Sequence, residues 1–313
     1  AMRALVTGAS GFLGRHLCRA LVKSRDFVAA LVRDEHREHH YDDLMPVTGT
    51  VIVCGSFEQV ERAIAEYEID TVFHLAAQVQ VSTAVADPVG TLEANVRGTW
   101  QVLEACRRQK VERVIVASSD KAYGDGEVPY TERTPLRPHG IYATSKACAD
   151  MIAQSYAREY RMAIAITRCG NLYGPGHTNW STLIPGTIRS ILKGEAPRLR
   201  SNGQAKRDFL YVEDAVEGYL RLAKFPDRDG IGPYNLGSGR AWSALEVVER
   251  ILLIMRSDLE PIIEDNSSAQ EIDEQWLSTD RVLLDGPQKN IYQKRTLDQG
   301  LEETIAWYRE YLK

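Results

Sequence analysis

Short apolar runs bounded by turn residues recur along the first half of the chain, at residues 2–7, 27–32, 49–54, 71–75, 113–118 and 163–167. Runs of this length predict strands. Between them the period lengthens. Residues 16–23, 60–67, 92–109 and 143–160 predict helices, the third with Val96, Trp100, Val102, Leu103 and Cys106 near helical spacing. Strands alternating with helices predict an α/β fold, a doubly wound parallel sheet (Rossmann fold) with right-handed crossovers. Ligands in such sheets bind beyond the carboxyl ends of the strands. Gly8, Ser118, Ser119 and Asp120 fall at such ends.

After Gly174-Pro175-Gly176 the pattern loosens. Loops, Pro and Gly become more frequent, with amphipathic stretches near 184–192, 212–224 and 245–255. We therefore expect the doubly wound domain to span 1–174. Over 175–313 we expect a smaller, mixed substrate-binding region, with 234–236 returning to the main sheet. No internal repeat or low-complexity stretch appears.

Composition narrows the functions. With 44% hydrophobic and 26% charged residues, 313 residues suffice for a sizeable core. A net charge of −5 without a basic tract argues against a nucleic-acid partner. No apolar run reaches membrane-spanning length and no targeting segment is recognisable, so a cytoplasmic location is expected. Cys18, Cys54, Cys106, Cys148 and Cys169 are scattered, as in a reduced protein. His36, His39 and His40 lie in a charged stretch with no second ligand cluster, so no metal is expected.

Two groups of residues carry chemistry. Gly8, Gly11 and Gly14 frame a loop with Ser10, Phe12 and Leu13, directly after the first strand and before a helix. Glycines there permit a tight turn and let backbone N–H groups approach a pyrophosphate at a helix N-terminus, so a dinucleotide is expected. The second strand ends at Arg33-Asp34, where an acidic residue would take ribose hydroxyls. Arg33 suits a 2′-phosphate or a solvated loop, which leaves both NAD and NADP open. The second group is Tyr142 and Lys146, spaced i,i+4 and so on one helix face. A phenol ionises near pH 10, and a cation one turn away favours the phenolate. The pair is suited to take a proton from an alcohol. Asp120 and Lys121 add a second acid and base, which simple alcohol oxidation does not require.

These residues resemble the extended short-chain dehydrogenase/reductases, in the nucleotide-sugar epimerase and dehydratase branch. The resemblance spans nearly the whole chain. It rests on the glycine loop, His74-Leu75-Ala76-Ala77-Gln78, Asn95-Val96-Arg97-Gly98-Thr99 and the Tyr142–Lys146 pair. It continues through residues 168–176 and 207–214. Within the branch, Ser119-Asp120-Lys121 is similar to the segment of CDP-glucose 4,6-dehydratases, with Ser for Thr, as is the run from Asn179 to Arg189. Ser56, where the branch often has Asp, and the 284–293 stretch depart from the pattern. The resemblance implies a 4,6-dehydratase, or alternatively a 4-epimerase, acting on a nucleotide-diphosphate sugar. Catalytic roles then fall to Ser119, Asp120, Lys121, Tyr142 and Lys146. Leu75, Ala76, Ala77, Asn95, Tyr142 and Lys146 join the glycine loop in holding the cofactor. Gln78, Asn171, Leu183, Ile184 and Arg207 meet the substrate, while Trp180 lines the sugar or base pocket or simply packs. The resemblance also implies a homodimer through a four-helix bundle, with Trp100 and Leu103 at the interface.

Overall fold

The computed structural model describes residues 1–33, 50–224, 232–265, 271–280 and 295–313. In chain order the first strands and helices are β1 (Arg3–Thr7), α1 (Phe12–Lys23), β2 (Phe27–Val32), β3 (Thr50–Cys54), α2 (Gln59–Glu66), β4 (Thr71–His74), α3 (Val81–Ala86) and α4 (Pro88–Leu92). A π-helical segment, Glu93–Arg97, leads into α5 (Gly98–Arg108). Then come β5 (Arg113–Ala117), a 3-10 turn (Asp120–Tyr123), α6 (Gly140–Tyr160) and β6 (Ile164–Cys169). The remainder holds β7 (Asn171–Tyr173), α7 (Leu183–Leu192), β8 (Arg198–Leu199), β9 (Lys206–Arg207), β10 (Phe209–Tyr211) and α8 (Val212–Lys224). It ends with β11 (Gly232–Leu236), β12 (Trp242–Ser243), α9 (Ala244–Met255), β13 (Ile262–Ile263), β14 (Glu274–Gln275) and α10 (Leu297–Tyr311).

Seven strands form one sheet in the order β11-β6-β5-β4-β1-β2-β3, parallel from β6 to β3. The strand order reverses at β1, which lies between β4 and β2. At this switch point the chain leaves β1 toward one face and β4 toward the other, opening a crevice at their carboxyl ends. Gly8 follows β1 and Leu75 follows β4, so both line that crevice. Burial explains the apolar runs: β4 is buried throughout, and β2 and β5 at all but their ends.

Two compact units emerge, each built from three chain segments. One comprises Ala1–Gly124, Pro135–Arg168 and Val216–Tyr234. Its core joins Leu5, Val72, Val102, Leu103, Val114 and Ile164. Leu103 is fully buried there, packed into this core, which corrects its expected place at a subunit interface, while Trp100 on the same helix is 41% exposed. The other comprises Asp125–Thr134, Cys169–Ala215 and Asn235–Lys313. Its core is built by Ile184, Ile188, Val248, Ile251, Leu301 and Ile305, from α7, α9 and α10. Capping boxes start α9, with Ser243 and Glu246, and α10, with Thr296 and Gln299.

Most helices begin earlier than periodicity suggests. The 92–109 helix is preceded by α4, which starts at Pro88 because the Asp87 carboxylate accepts the Gly90 N–H and proline suits the first helical position. α1 begins at Phe12, directly after the glycine loop, and α6 at Gly140, which puts Tyr142 in its first turn. Asp34, the three histidines at 36, 39 and 40, and the 284–293 stretch lie outside the described residues. Among the described residues no helix is long and apolar enough to cross a membrane, and no group of three His, Cys, Asp or Glu side chains is gathered as a metal site.

Candidate active site

The glycine loop is closed by its own backbone. Gly8 adopts φ +70°, and a Cβ there would lie 2.8 Å from the Ala76 nitrogen. A Cβ on Gly14 would run into the Gly8 carbonyl oxygen. Both positions therefore need glycine, one for its dihedral and both for close approach. Gly11 is the N-cap of α1 and no side chain caps that end. First-turn N–H groups have no intrahelical acceptor, so such a terminus suits an anion. The loop fits a dinucleotide's pyrophosphate. Arg33 stands exposed just beyond β2.

A chain of hydrogen bonds runs from this loop to α6. Thr7 Oγ1 accepts from the N–H groups of Leu75 and Ala76, at 3.1 and 3.2 Å. It lies 2.8 Å from His74 Nδ1, whose Nε2 is 3.0 Å from Thr99 Oγ1. Thr99 donates its own proton to the Asn95 carbonyl at 2.7 Å. That assignment fixes the tautomer. Thr99 must accept from Nε2–H, so Nδ1 accepts the Thr7 hydroxyl proton. The imidazole is neutral, its pKa pressed down to about 3 by burial and then by the nearby charge of Lys146. Asn95 sits in the π-helical segment and is buried. Its side chain accepts the Gln78 N–H at 2.7 Å and donates to the Gln78 carbonyl and to Ser145 Oγ, each at 2.9 Å. Ser145 then donates to the Tyr142 carbonyl at 2.7 Å. Asn95 thus spends both amide hydrogens inside the protein. Gln78 Nε2 donates to Gln80 and Thr91. Ala77 lies half-buried between these groups.

The residues expected to act as acids and bases share the first unit. Lys146 is buried and donates to the Ala117 carbonyl, the last residue of β5, at 2.6 Å. That bond draws the Tyr142–Lys146 face of α6 to the strand end carrying Ser118 and Ser119. Ser119 is the N-cap of the 3-10 turn, its hydroxyl accepting the Lys121 N–H at 3.2 Å. Asp120 is buried, and Lys121 Nζ lies 3.1 and 3.2 Å from its two carboxylate oxygens. Ser119 Oγ is 3.4 Å from the same carboxylate. Ser118 Oγ is buried with no hydrogen-bond partner among the described residues. A buried hydroxyl without a partner is uncommon and suits a site that receives a polar ligand group.

Gln78 belongs to the first unit, and the other expected substrate residues lie in the second. Asn171 begins β7, its N–H donating to the Asp208 carbonyl at 2.8 Å. Trp180 packs against Tyr308 and Tyr311, with the Arg189 guanidinium 4.8 Å above its ring. Leu183 and Ile184 open α7, and Ile184 is buried in the core. Arg207 Nη1 donates to the Lys206 and Ile272 carbonyls, and Nη2 lies 3.3 Å from Glu271. Its acidic neighbour is therefore Glu271. Asp208 instead accepts from the Ser238 N–H and hydroxyl and the Gly239 N–H. The roles of His74, Thr99, Ser118 and Ser145 escape sequence reading. His74 and Thr99 lie in the segments 74–78 and 95–99, but nothing in spacing shows that they touch.

Residues 4–237 match the NAD dependent epimerase/dehydratase family. The chain is 32% identical to the dTDP-glucose 4,6-dehydratase of Mycolicibacterium smegmatis, over 98% of this chain and 93% of that one. Its fold matches the UDP-glucose 4-epimerase of Thermotoga maritima, solved with UDP-glucose, with TM-score 0.90 and 25% identity over the whole of both chains. It also matches the dTDP-glucose 4,6-dehydratase of Bacillus anthracis, solved with NAD, with TM-score 0.87 and 26% identity, over 99% of this chain and 97% of that one. With a family match over most of its length, and a relative above 30% identity along nearly all of it, this chain is a member of the NAD dependent epimerase/dehydratase family.

Proposed function

We propose that the protein is a nucleotide-sugar 4,6-dehydratase, turning an NDP-hexose into an NDP-4-keto-6-deoxyhexose with bound NAD. The observation that carries this reading is Asp120, buried and ion-paired to Lys121 in the very turn that Ser119 caps. Oxidation and re-reduction at one carbon need only the Tyr142–Lys146 pair. Elimination of water needs a further acid and base. The dTDP-glucose 4,6-dehydratase relative supports the same reaction.

When bound, NAD supplies the hydride acceptor and later the hydride donor. In our reading Ser119 hydrogen-bonds the sugar 4-hydroxyl and Tyr142 removes its proton. Lys146, held at Ala117, keeps a positive charge beside the phenolate, and the first turn of α6 also favours an anion. The resulting 4-ketone acidifies the carbon 5 proton. Lys121 removes that proton or tunes the group that does. Asp120 protonates the departing 6-oxygen, and loss of water leaves an enone for re-reduction at carbon 6. Asn171 and Arg207 meet the nucleotide diphosphate, since a guanidinium forks onto phosphate oxygens.

A 4-epimerase is the second reading, favoured by the TM-score of 0.90 to the Thermotoga enzyme. Product masses decide. Incubated with a panel headed by dTDP-glucose, CDP-glucose and UDP-glucose, the protein should yield a product lighter by one water. A product of unchanged mass with inverted carbon 4 would establish the epimerase. Asp120→Asn sharpens the contrast: elimination should slow about 10²–10⁴-fold while oxidation continues, so reduced nicotinamide accumulates. Turnover at the parental rate without that accumulation would remove Asp120 as the acid.

We further propose a homodimer built on α3–α6. Exposed Val81, Val85, Val89, Trp100 and Met151 support it, being an apolar set of the kind that marks an interface. A cytoplasmic setting accords with Cys18, Cys106, Cys148 and Cys169, all free.

A further inference from the structure

Behind the acid–base turn lies a charged cluster to which the reaction above assigns no task. Arg168, the penultimate residue of β6, is 2% exposed, and Asp150 of α6 is fully buried. They form a two-pronged pair: Arg168 Nε to Asp150 Oδ2 at 2.8 Å and Nη2 to Oδ1 at 2.9 Å. The third nitrogen, Nη1, donates to the Tyr123 hydroxyl at 3.0 Å, and the guanidinium carbon sits 4.8 Å from the centre of the Tyr123 ring. Tyr123 is the last residue of the turn that begins with Asp120. Asp150 continues the series Tyr142, Lys146, Asp150, spaced i, i+4, i+8 along one face of α6.

A buried ion pair is a poor source of net stability, because desolvating two charges offsets their attraction. Its value lies in fixed geometry. Here the geometry joins the two elements that divide the chemistry. α6 carries the oxidising pair, and the Asp120–Tyr123 turn carries the eliminating pair. The α6 face is tied to the rest of the site at two heights: Lys146 to Ala117 before the turn, and Asp150 through Arg168 to Tyr123 at its end.

We propose that Arg168, Asp150 and Tyr123 are positioning residues, a clamp that holds the Asp120–Lys121 turn in register with the Tyr142–Lys146 face. The inference rests on the dehydratase reading for its kinetic consequence, but the clamp itself has a structural signature that does not.

Tyr123→Phe tests it, because the ring and its packing stay and only the hydroxyl goes. Amide hydrogen exchange in the NAD-loaded protein should rise about tenfold across residues 118–124 while α6 keeps its parental protection. With the nucleotide sugar that the parent dehydrates, reduction of bound cofactor should stay within about threefold of the parent. The following elimination should slow about 10- to 100-fold, so that reduced cofactor builds up. Asp150→Asn, if it folds, should show the same split. Parental exchange at 118–124 in Tyr123→Phe overturns the clamp whatever the reaction is. Equal slowing of oxidation and elimination overturns selective positioning in favour of a general structural role. A parent that releases no water refutes the dehydratase reading instead, and the exchange result then decides the clamp alone.

Discussion

Tyr142 and His74 show how differently one side chain can matter here. Tyr142→Phe removes a single oxygen from a half-buried ring in the first turn of α6. It should abolish reduction of the cofactor by substrate while dinucleotide affinity stays within a few fold, as read by stopped-flow absorbance and fluorescence titration. Rapid reduction in a folded Tyr142→Phe protein would dismiss the tyrosine as the base. His74 acts on stability rather than chemistry. Its pKa falls from the usual 6.5 to about 3 in the folded state, so between those values the unfolded chain binds the extra proton. Stability contributed by the neutral ring is complete above pH 6.5. It is lost progressively as pH falls toward 3, at roughly 1.4 kcal/mol per unit. Urea melts at pH 7.5 and 5.5 should therefore show a steeper acid loss for the parent than for His74→Gln. Equal slopes would exclude His74 as the origin.

At the scale of elements, the glycine loop makes the firmest demand. Gly14→Ala would drive a methyl into the Gly8 backbone carbonyl, where no rotamer change relieves it. The α1 terminus must then shift, and NAD affinity should fall at least tenfold by titration calorimetry, with the sheet still folded by circular dichroism. Unchanged affinity would show that the loop does not cradle the pyrophosphate. This loop was legible in the sequence because its requirement is local: three glycines between a strand and a helix. The main-sheet strands were legible for a related reason, since burial on both faces leaves unbroken apolar runs. Other elements were less so. α10 passed unread, although Thr296 and Gln299 spell a capping box and Leu301, Ile305 and Tyr308 recur at helical spacing. α3 holds six residues, Val-Ser-Thr-Ala-Val-Ala, too few and too β-branched to announce a helix. The Tyr–Lys pair could be read from i,i+4 spacing alone. The His74 chain and the Arg168 clamp could not, because their members are brought together from distant segments and each looks ordinary in its own.

For the whole molecule, the proposed homodimer rests on what the first unit leaves uncovered. Val85, Val89 and Met151 are each 60% exposed or more, on three neighbouring helices. Trp100→Glu combined with Val85→Glu should convert a dimer to a monomer in light scattering at micromolar concentration, with little change in thermal midpoint at high protein dilution. A parent that is already monomeric would end the dimer proposal. Chain path adds a different constraint. β6 is complete at Cys169, but its neighbour β11 is not complete until Leu236. A ribosome adds about 5–20 residues each second. The edge of β6, with its unpaired amides and carbonyls, therefore waits for several seconds in every newly made copy before its partner strand exists. An open strand edge is a template for pairing with another chain. The nascent protein passes through an interval in which β6 is an edge, as it is not in the finished sheet, and a chain cut short before β11 would stay in it.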